Sequence, residues 1–173
     1  MSKNIQIGII GPNTSLCSNE LYLFGKKLGE KIATKNRVFI SGGKGGFMKA
    51  VFEGIKSSTH TFSGQTVAIL PEKDRSEANA FSDIVIPTGM DIARNLIIIN
   101  SSDLLIAAGG GAGTLSELAF AWQQGKRVIC IAGFGGWSER LSRDNIDARF
   151  DGLFLRAKGI DETVKLLDQN IKK

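Results

Sequence analysis

This 173-residue chain has one histidine, two cysteines and three prolines, and it contains no long apolar run. His60, the only histidine, lies in a polar stretch, so histidine acid–base catalysis is not expected. Cys17 and Cys130 are far apart and have no CxxC or Cys/His neighbour, which argues against a zinc site and for two reduced thiols. No metal ligand set is expected. No stretch approaches the ~18 consecutive apolar residues of a membrane span. The stretch 5–10 is too short, and too interrupted by Gln6 and Gly8, to read as a secretory leader. These features together set the expectation of a cytoplasmic protein.

Glycine is in excess, at 21 of 173 residues, or about 12%, where ~7% is usual. It clusters at 42–46, 109–113 and 133–136, which marks functional loops and not a flexible chain. The 22 basic and 17 acidic side chains give a net charge of +5. That balance suits anionic small molecules. The basic residues are scattered and are not interleaved with aromatics, so a nucleic-acid partner is not expected.

Short apolar segments alternate with helical patterns. Strands are expected at 5–10, 38–41, 65–70, 84–86, 104–108, 127–132 and 153–155. Pro12, Pro71 and Pro87 each stand just past such a segment. Ser18 reads as the N-cap of a helix to about residue 34, with Leu21, Phe24, Leu28 and Ile32 at helical spacing. A second helix carries Met48, Val51, Phe52 and Ile55. A third is expected from Asp91 to about Asn100, with Arg94 in its first turn. Its run Leu96–Ile99 is apolar almost all round, which fits either a central core helix or one at a subunit interface. Asp161 reads as the cap of a last helix through Val164, Leu167 and Ile171. This alternation predicts a doubly wound, mostly parallel α/β sheet, Rossmann-like, in a single domain over 1–173. The glycine loops after Gly11, at 42–46, at 109–113 and at 133–136 all follow strand ends. In such a sheet those ends share one edge, so the loops are expected to converge on one pocket.

The run Gly109-Gly110-Gly111-Ala112-Gly113-Thr114-Leu115-Ser116-Glu117 carries the most chemistry. It stands between the strand at 104–108 and a helical stretch, an order that exposes unpaired amides and the positive end of a helix dipole to an anion. Glycine lets a phosphate approach the backbone. A dinucleotide fingerprint needs GxGxxG after a strand, which Gly11-Pro12-Asn13-Thr14 fails. A P-loop needs GxxxxGK[ST], which Gly125-Lys126-Arg127 and the Lys44 loop both fail. Ser116 is not in a GxSxG elbow. Thr114-x-x-Glu117 has two readings: a capping box in which Glu117 caps its own helix, or a carboxylate placed in the site.

The motif Gly109–Glu117 resembles the PGGxGTxxE signature of the LONELY GUY phosphoribohydrolases, with Gly109 in place of the proline. Met90-Asp91-Ile92-Ala93-Arg94-Asn95 falls where that family has an Arg-Lys pair, with Asn95 in place of the lysine. Ser41–Met48 is similar to a further family loop, and Ile69-Leu70-Pro71 also fits. The departures look like a short sister branch of the same superfamily that includes molybdenum-cofactor carrier proteins.

The resemblance implies a phosphate-bearing ligand held by Gly11, Gly43, Lys44, Gly45, Gly110, Gly111, Ala112, Gly113 and Thr114, with Arg94 and Glu117 as the catalytic pair. One expectation is hydrolysis of the N-glycosidic bond of a nucleoside 5′-monophosphate, without a cofactor, where a carboxylate stabilises charge on the ribose or deprotonates water. The alternative is a non-catalytic carrier of the molybdenum cofactor, a phosphorylated pterin. A homodimer or homotetramer is expected. Trp137 suits either stacking on a ring or core packing.

Overall fold

The computed structural model describes residues 4–142 and 144–171. Strand β1 (Ile5–Ile10) leads through Gly11 and a 3-10 turn, Thr14–Leu16, into α1 (Asn19–Ile32). Ser18 caps α1, its Oγ accepting from the Leu21 amide at 3.1 Å. There follow β2 (Arg37–Ser41), α2 (Phe47–Ser57), β3 (Thr66–Leu70) and β4 (Ile84–Pro87), then α3 (Asn95–Asn100) and β5 (Leu104–Ala108). The chain continues with α4 (Ala112–Gln123), β6 (Val128–Ile131), α5 (Gly136–Leu141), β7 (Phe154–Ala157) and α6 (Ile160–Asn170).

All seven strands join one sheet in the order β4-β3-β2-β1-β5-β6-β7, and every described pairing is parallel. The central strands carry apolar side chains on both faces, as a sheet covered on both sides requires. Phe39, Ile7 and Ile9 meet α1, α2 and α6 on one face. Ile10, Ile40 and Leu105 meet α3, α4 and α5 on the other. Trp122 of α4 is fully buried there, and its indole N–H donates to Asp147 at 2.8 Å.

The chain winds outward from β1 through β2, β3 and β4, then returns to place β5 on the other side of β1. The loops after β1 and β5 therefore diverge at a topological switch point, where open α/β sheets leave a crevice.

Two helix expectations need correction. The segment from Asp91 begins as a 3-10 turn, Asp91–Arg94, and only Asn95–Asn100 is α-helical, so Arg94 ends the turn and caps α3. A 3-10 turn eclipses residues i and i+3, which sets Asp91 and Arg94 on the same side. The last helix is capped by Gly159, not Asp161, which lies in its first turn. Helix α5 was not anticipated, since the glycine-rich segment before it hid its start.

Candidate functional site

Strand β5 ends at Ala108, and α4 begins only four residues later. Its N-cap is Gly111, which offers no side chain to the first turn. The amides of Ala112, Gly113 and Thr114 have no acceptor among the described residues. Three unpaired N–H groups at the positive end of a 12-residue helix make an anion cradle. Gly110 sets its depth. Its φ is +89°, and a Cβ there would lie 2.2 Å from Thr114 Oγ1, so only glycine lets the loop close against Thr114.

The cradle opens into a cavity of about 270 Å³ lined by three loops of the switch point. Gly11, Asn13 and Leu16 come from the loop after β1, Lys44 and Met48 from the β2–α2 passage, and 111–114 with Glu117 from α4. Asp91, Ile92 and Arg94 close the remaining side. Of the sequence-expected positions, Gly11, Lys44, Arg94, Gly111, Ala112, Gly113, Thr114 and Glu117 thus line one cavity. Gly43, Gly45 and Gly110 stand behind this lining. The Gly43 carbonyl accepts from Asn79, and a Cβ on Gly45 would lie 2.0 Å from Thr14 Oγ1.

Arg94 and Glu117 meet at the floor. The side chains are 11% and 8% exposed, and Nη1 stands 3.8 Å from Oε1, an ion-pair distance beyond a hydrogen bond. The guanidinium lies flat on Gly42, where a Cβ would sit 2.4 Å from Nη2. Arg94 Nε is buried and has no hydrogen-bond partner among the described residues. Burial lowers the Arg94 pKa, while Glu117 and Glu72 pull it back up. Burial raises the Glu117 pKa from 4.5 to about 8, and Arg94 only partly opposes this.

Glu117 does not cap its helix. The helix starts at Ala112, so Thr114 is its third residue and Glu117 its sixth, and the cap position makes no side-chain hydrogen bond. The capping-box reading fails because the glycine run enters the helix two residues before Thr114. Glu117 instead faces the cavity one turn below the cradle.

Lys44 is already engaged. Its Nζ donates to Glu72 at 2.8 Å and to Glu77 at 3.1 Å. Burial works against its charge, but these two carboxylates outweigh it and raise its pKa. Asn95 is buried, and its Nδ2 donates to Ser116 Oγ at 3.0 Å; Ser116 Oγ donates to Gly113 O at 2.7 Å. The residue at the resemblance's lysine position therefore ties α3 to the first turn of α4 and adds no charge.

The fourth glycine loop does not reach the cavity. Glu139 accepts from the Gly133 and Gly135 amides at 3.0 and 2.7 Å. The Trp137 and Ser138 amides donate to Gly110 O and Gly109 O, both at 3.1 Å. This loop braces the cradle from behind. Trp137 packs against the core on the α3, α4 and α5 face of the sheet, with Arg140 over its ring at 5.1 Å. His60 is exposed, and Cys130 is buried so that its thiol is pushed up to about 12.

Sequence reasoning missed Asp91, Ile92, Leu16 and Glu72. Asp91 is the only non-glycine residue with positive φ among those described, at +50°. Strain of this kind collects at functional sites, but nothing in the sequence marked it.

A parallel seven-stranded sheet with a loop crevice at its switch point defines a Rossmann-like α/β protein. Within that class the chain belongs to the SLOG cluster4 family, whose family model matches residues 4–159. The superfamily is the one to which the Gly109–Glu117 motif pointed. An uncharacterised protein of Archaeoglobus fulgidus is 49% identical over 129 residues, covering 75% of this chain and 81% of that protein. The molybdenum cofactor binding protein of Rippkaea orientalis is 29% identical, with a TM-score of 0.81, covering 99% of this chain and 100% of the other. The molybdenum cofactor carrier protein of Chlamydomonas reinhardtii is 28% identical, with a TM-score of 0.80, covering 98% and 100%.

Proposed function

We propose that this protein binds a phosphorylated pterin of the molybdenum-cofactor type, holding its phosphate on the amides of Ala112, Gly113 and Thr114 and on Arg94. The observation that carries this reading is the cradle itself: among the described residues, three amides without acceptors face the same cavity as a buried guanidinium whose Nε has no partner. A buried donor such as Arg94 Nε is costly unless a ligand satisfies it, while the amides of exposed Ala112 and Gly113 stand open to an arriving anion. The likeness to two proteins named for binding this cofactor, over nearly the whole chain, supports the choice of ligand.

The residues fit a phosphate well. At about 270 Å³ the cavity falls just below the ~300 Å³ lower end for small-molecule pockets, so it takes the phosphate end of the ligand. The larger ring system would lie beyond it, where Leu16, Pro71 and Ile92 among the lining residues offer it apolar contact. When bound, the cofactor supplies the metal and the redox chemistry; the protein's residues bind and orient it. Carriage suits Glu117, which burial keeps mostly protonated at neutral pH and free of charge repulsion toward a phosphate.

A second reading rests on the Arg94–Glu117 pair lying in the same cavity. In it the protein hydrolyses a nucleoside 5′-monophosphate and needs no cofactor. The C–N bond to the base breaks, water adds to the ribose carbon, and the base leaves with a proton. Glu117 serves as base in its ionised form, which is the minor form near neutral pH. Both readings place the protein in the cytoplasm, with free Cys17 and Cys130, as a homodimer or homotetramer.

Titrating purified protein with molybdenum cofactor decides the first reading, and saturable binding at micromolar protein is the expected result. Incubation with AMP is expected to release no adenine above background. Release of adenine and ribose 5-phosphate that Glu117→Ala abolishes would replace the carrier with the hydrolase. Neither binding nor release would remove both.

A further inference from the structure

Parallel neighbours end on the same edge of a sheet, so the pairing of β2 with β3 sets the loop after Ser41 beside the segment after Leu70. The two are fastened together. The Asn79 amide donates to Gly43 O at 2.8 Å, and its Nδ2 donates to Gly43 O at 3.0 Å and to Lys44 O at 3.2 Å. Before Asn79 the segment carries Glu72 and a 3-10 turn, Arg75–Glu77, which Asp74 caps by accepting from the Ser76 amide at 2.8 Å. Glu72 and Glu77 both reach back to one ammonium, accepting from Lys44 Nζ at 2.8 and 3.1 Å. An exposed lysine–carboxylate pair usually contributes little. This arrangement differs, because the Lys44 side chain is 22% exposed, lines the ligand cavity, and stands between two acids whose segment is pinned to its own loop.

The charge balance follows from this. One ammonium against two carboxylates leaves the trio a formal charge of −1. The other Glu72 oxygen, Oε2, is buried with no hydrogen-bond partner among the described residues. Its charge is engaged by no other donor there, and it acts on Arg94 as well as on Lys44. Asp91 adds a carboxyl group to the cavity lining, and Glu117 adds no charge in its protonated form. Arg94 and the cradle amides are what remains for an anion. A phosphomonoester carries a charge of about −1.5 to −2 at neutral pH, and this one set of donors suits it. A second phosphoryl group brings further negative charge. It meets a lysine already outnumbered by acids, and like charges a few ångströms apart repel strongly away from bulk water.

We propose that Glu72 and Glu77 withdraw Lys44 from the ligand and so fit the cavity to a ligand that ends in one phosphate, rejecting a diphosphate. The inference rests on the phosphate reading of the cradle, and it holds for a phosphorylated pterin and for a nucleoside 5′-monophosphate alike. Glu72 and Glu77 act through Lys44, so they are positioning residues: they set the charge that the ligand meets without touching it.

Calorimetric titration of the full chain with inorganic phosphate and with pyrophosphate, at one pH and one ionic strength, tests the clamp. The wild type is expected to bind phosphate more tightly than pyrophosphate. In the double variant Glu72→Gln, Glu77→Gln, the affinity ratio is expected to move toward pyrophosphate at least about tenfold, roughly 1.4 kcal/mol. Glu77→Gln alone, at a side chain 53% exposed, is expected to move it part of the way and keeps the test open if the double variant folds poorly. Adding Lys44→Met to the double variant is expected to return the ratio to within about twofold of the wild type. A wild type that prefers pyrophosphate, or a ratio that neither Gln variant moves, would overturn the clamp and leave the phosphate cradle. A shift that survives Lys44→Met would show plain repulsion by the two acids and would also overturn it. A wild type that binds neither anion would overturn the cradle, and the clamp with it.

Discussion

Glu117 is buried, with no hydrogen bond to its carboxyl among the described residues, and the burial sets its pH behaviour. Its folded pKa of about 8 lies above the ordinary 4.5, so between those values the folded chain binds more protons than the unfolded chain. Stability must then fall as pH rises through that window, the reverse of a salt-bridged carboxylate. Glu117→Gln removes the effect. By scanning calorimetry the variant is expected to match the wild type at about pH 5 and to melt higher at about pH 9. Ligand binding follows the same sign. Above about pH 8 the ionised carboxylate repels a phosphate, against the pull of Arg94 at 3.8 Å; Lys44 is neutralised by Glu72 and Glu77. Wild-type phosphate affinity is therefore expected to drop through that range, and the Glu117→Gln affinity to stay flat. For Arg94→Ala, loss of a charge-assisted contact worth about 1.5–3 kcal/mol predicts a phosphate affinity weaker by roughly 10- to 150-fold. The melting temperature at neutral pH should hold, because Glu117 is already mostly protonated there and leaves no unpaired buried charge when its partner is gone.

At the level of elements, the start of α4 separates packing glycines from ligand glycines. A Cβ on Gly110 would strike Thr114, whereas one on Gly113 would meet nothing within 4 Å and would stand at the cavity. Gly113→Ala is helical, so it should gain up to about 1 kcal/mol of stability. The same methyl obstructs the approach to the cradle amides, so phosphate affinity should fall. Higher stability with weaker binding, read from denaturant melts and calorimetry on one variant, is the expected signature; equal affinity would show that the ligand does not approach there. The strand–glycine–helix order was legible because β5, the loop and α4 are contiguous in sequence. The helix phase was not. Thr114 and Glu117 have capping-box spacing, and nothing local shows that the backbone turns helical at Ala112. The Asp91–Arg94 turn is hidden for a related reason: Leu96–Ile99 has a helical apolar pattern, but the 3-10 entry is tied to Pro71, whose carbonyl accepts from the Asp91 amide at 3.1 Å. Long-range contacts of that kind leave no periodic trace. Lys44 belongs with them, since Glu72 and Glu77 lie 28 and 33 residues away.

For the whole molecule, the sheet and its switch point follow from alternating short apolar segments, which is why the doubly wound class could be read before any contact was known. Where the sheet stops being covered could not be read. Ile84-Val85-Ile86 is as apolar as the buried strands, and only the strand order puts it at an edge. Ile84 and Ile86, each 44% exposed at that edge, give the proposed homo-oligomer a thermodynamic consequence. If the folded chain is stable chiefly as a pair, unfolding is also dissociation, and apparent stability depends on concentration. A tenfold rise in protein concentration is then worth about 1.4 kcal/mol per dimer, a shift of a few degrees in Tm for chains of about this size. Thermal melts of the wild type at increasing concentrations are expected to move upward, and those of Ile84→Lys to superimpose. Superimposed wild-type melts would mean that the exposed isoleucines contribute nothing to stability through a partner.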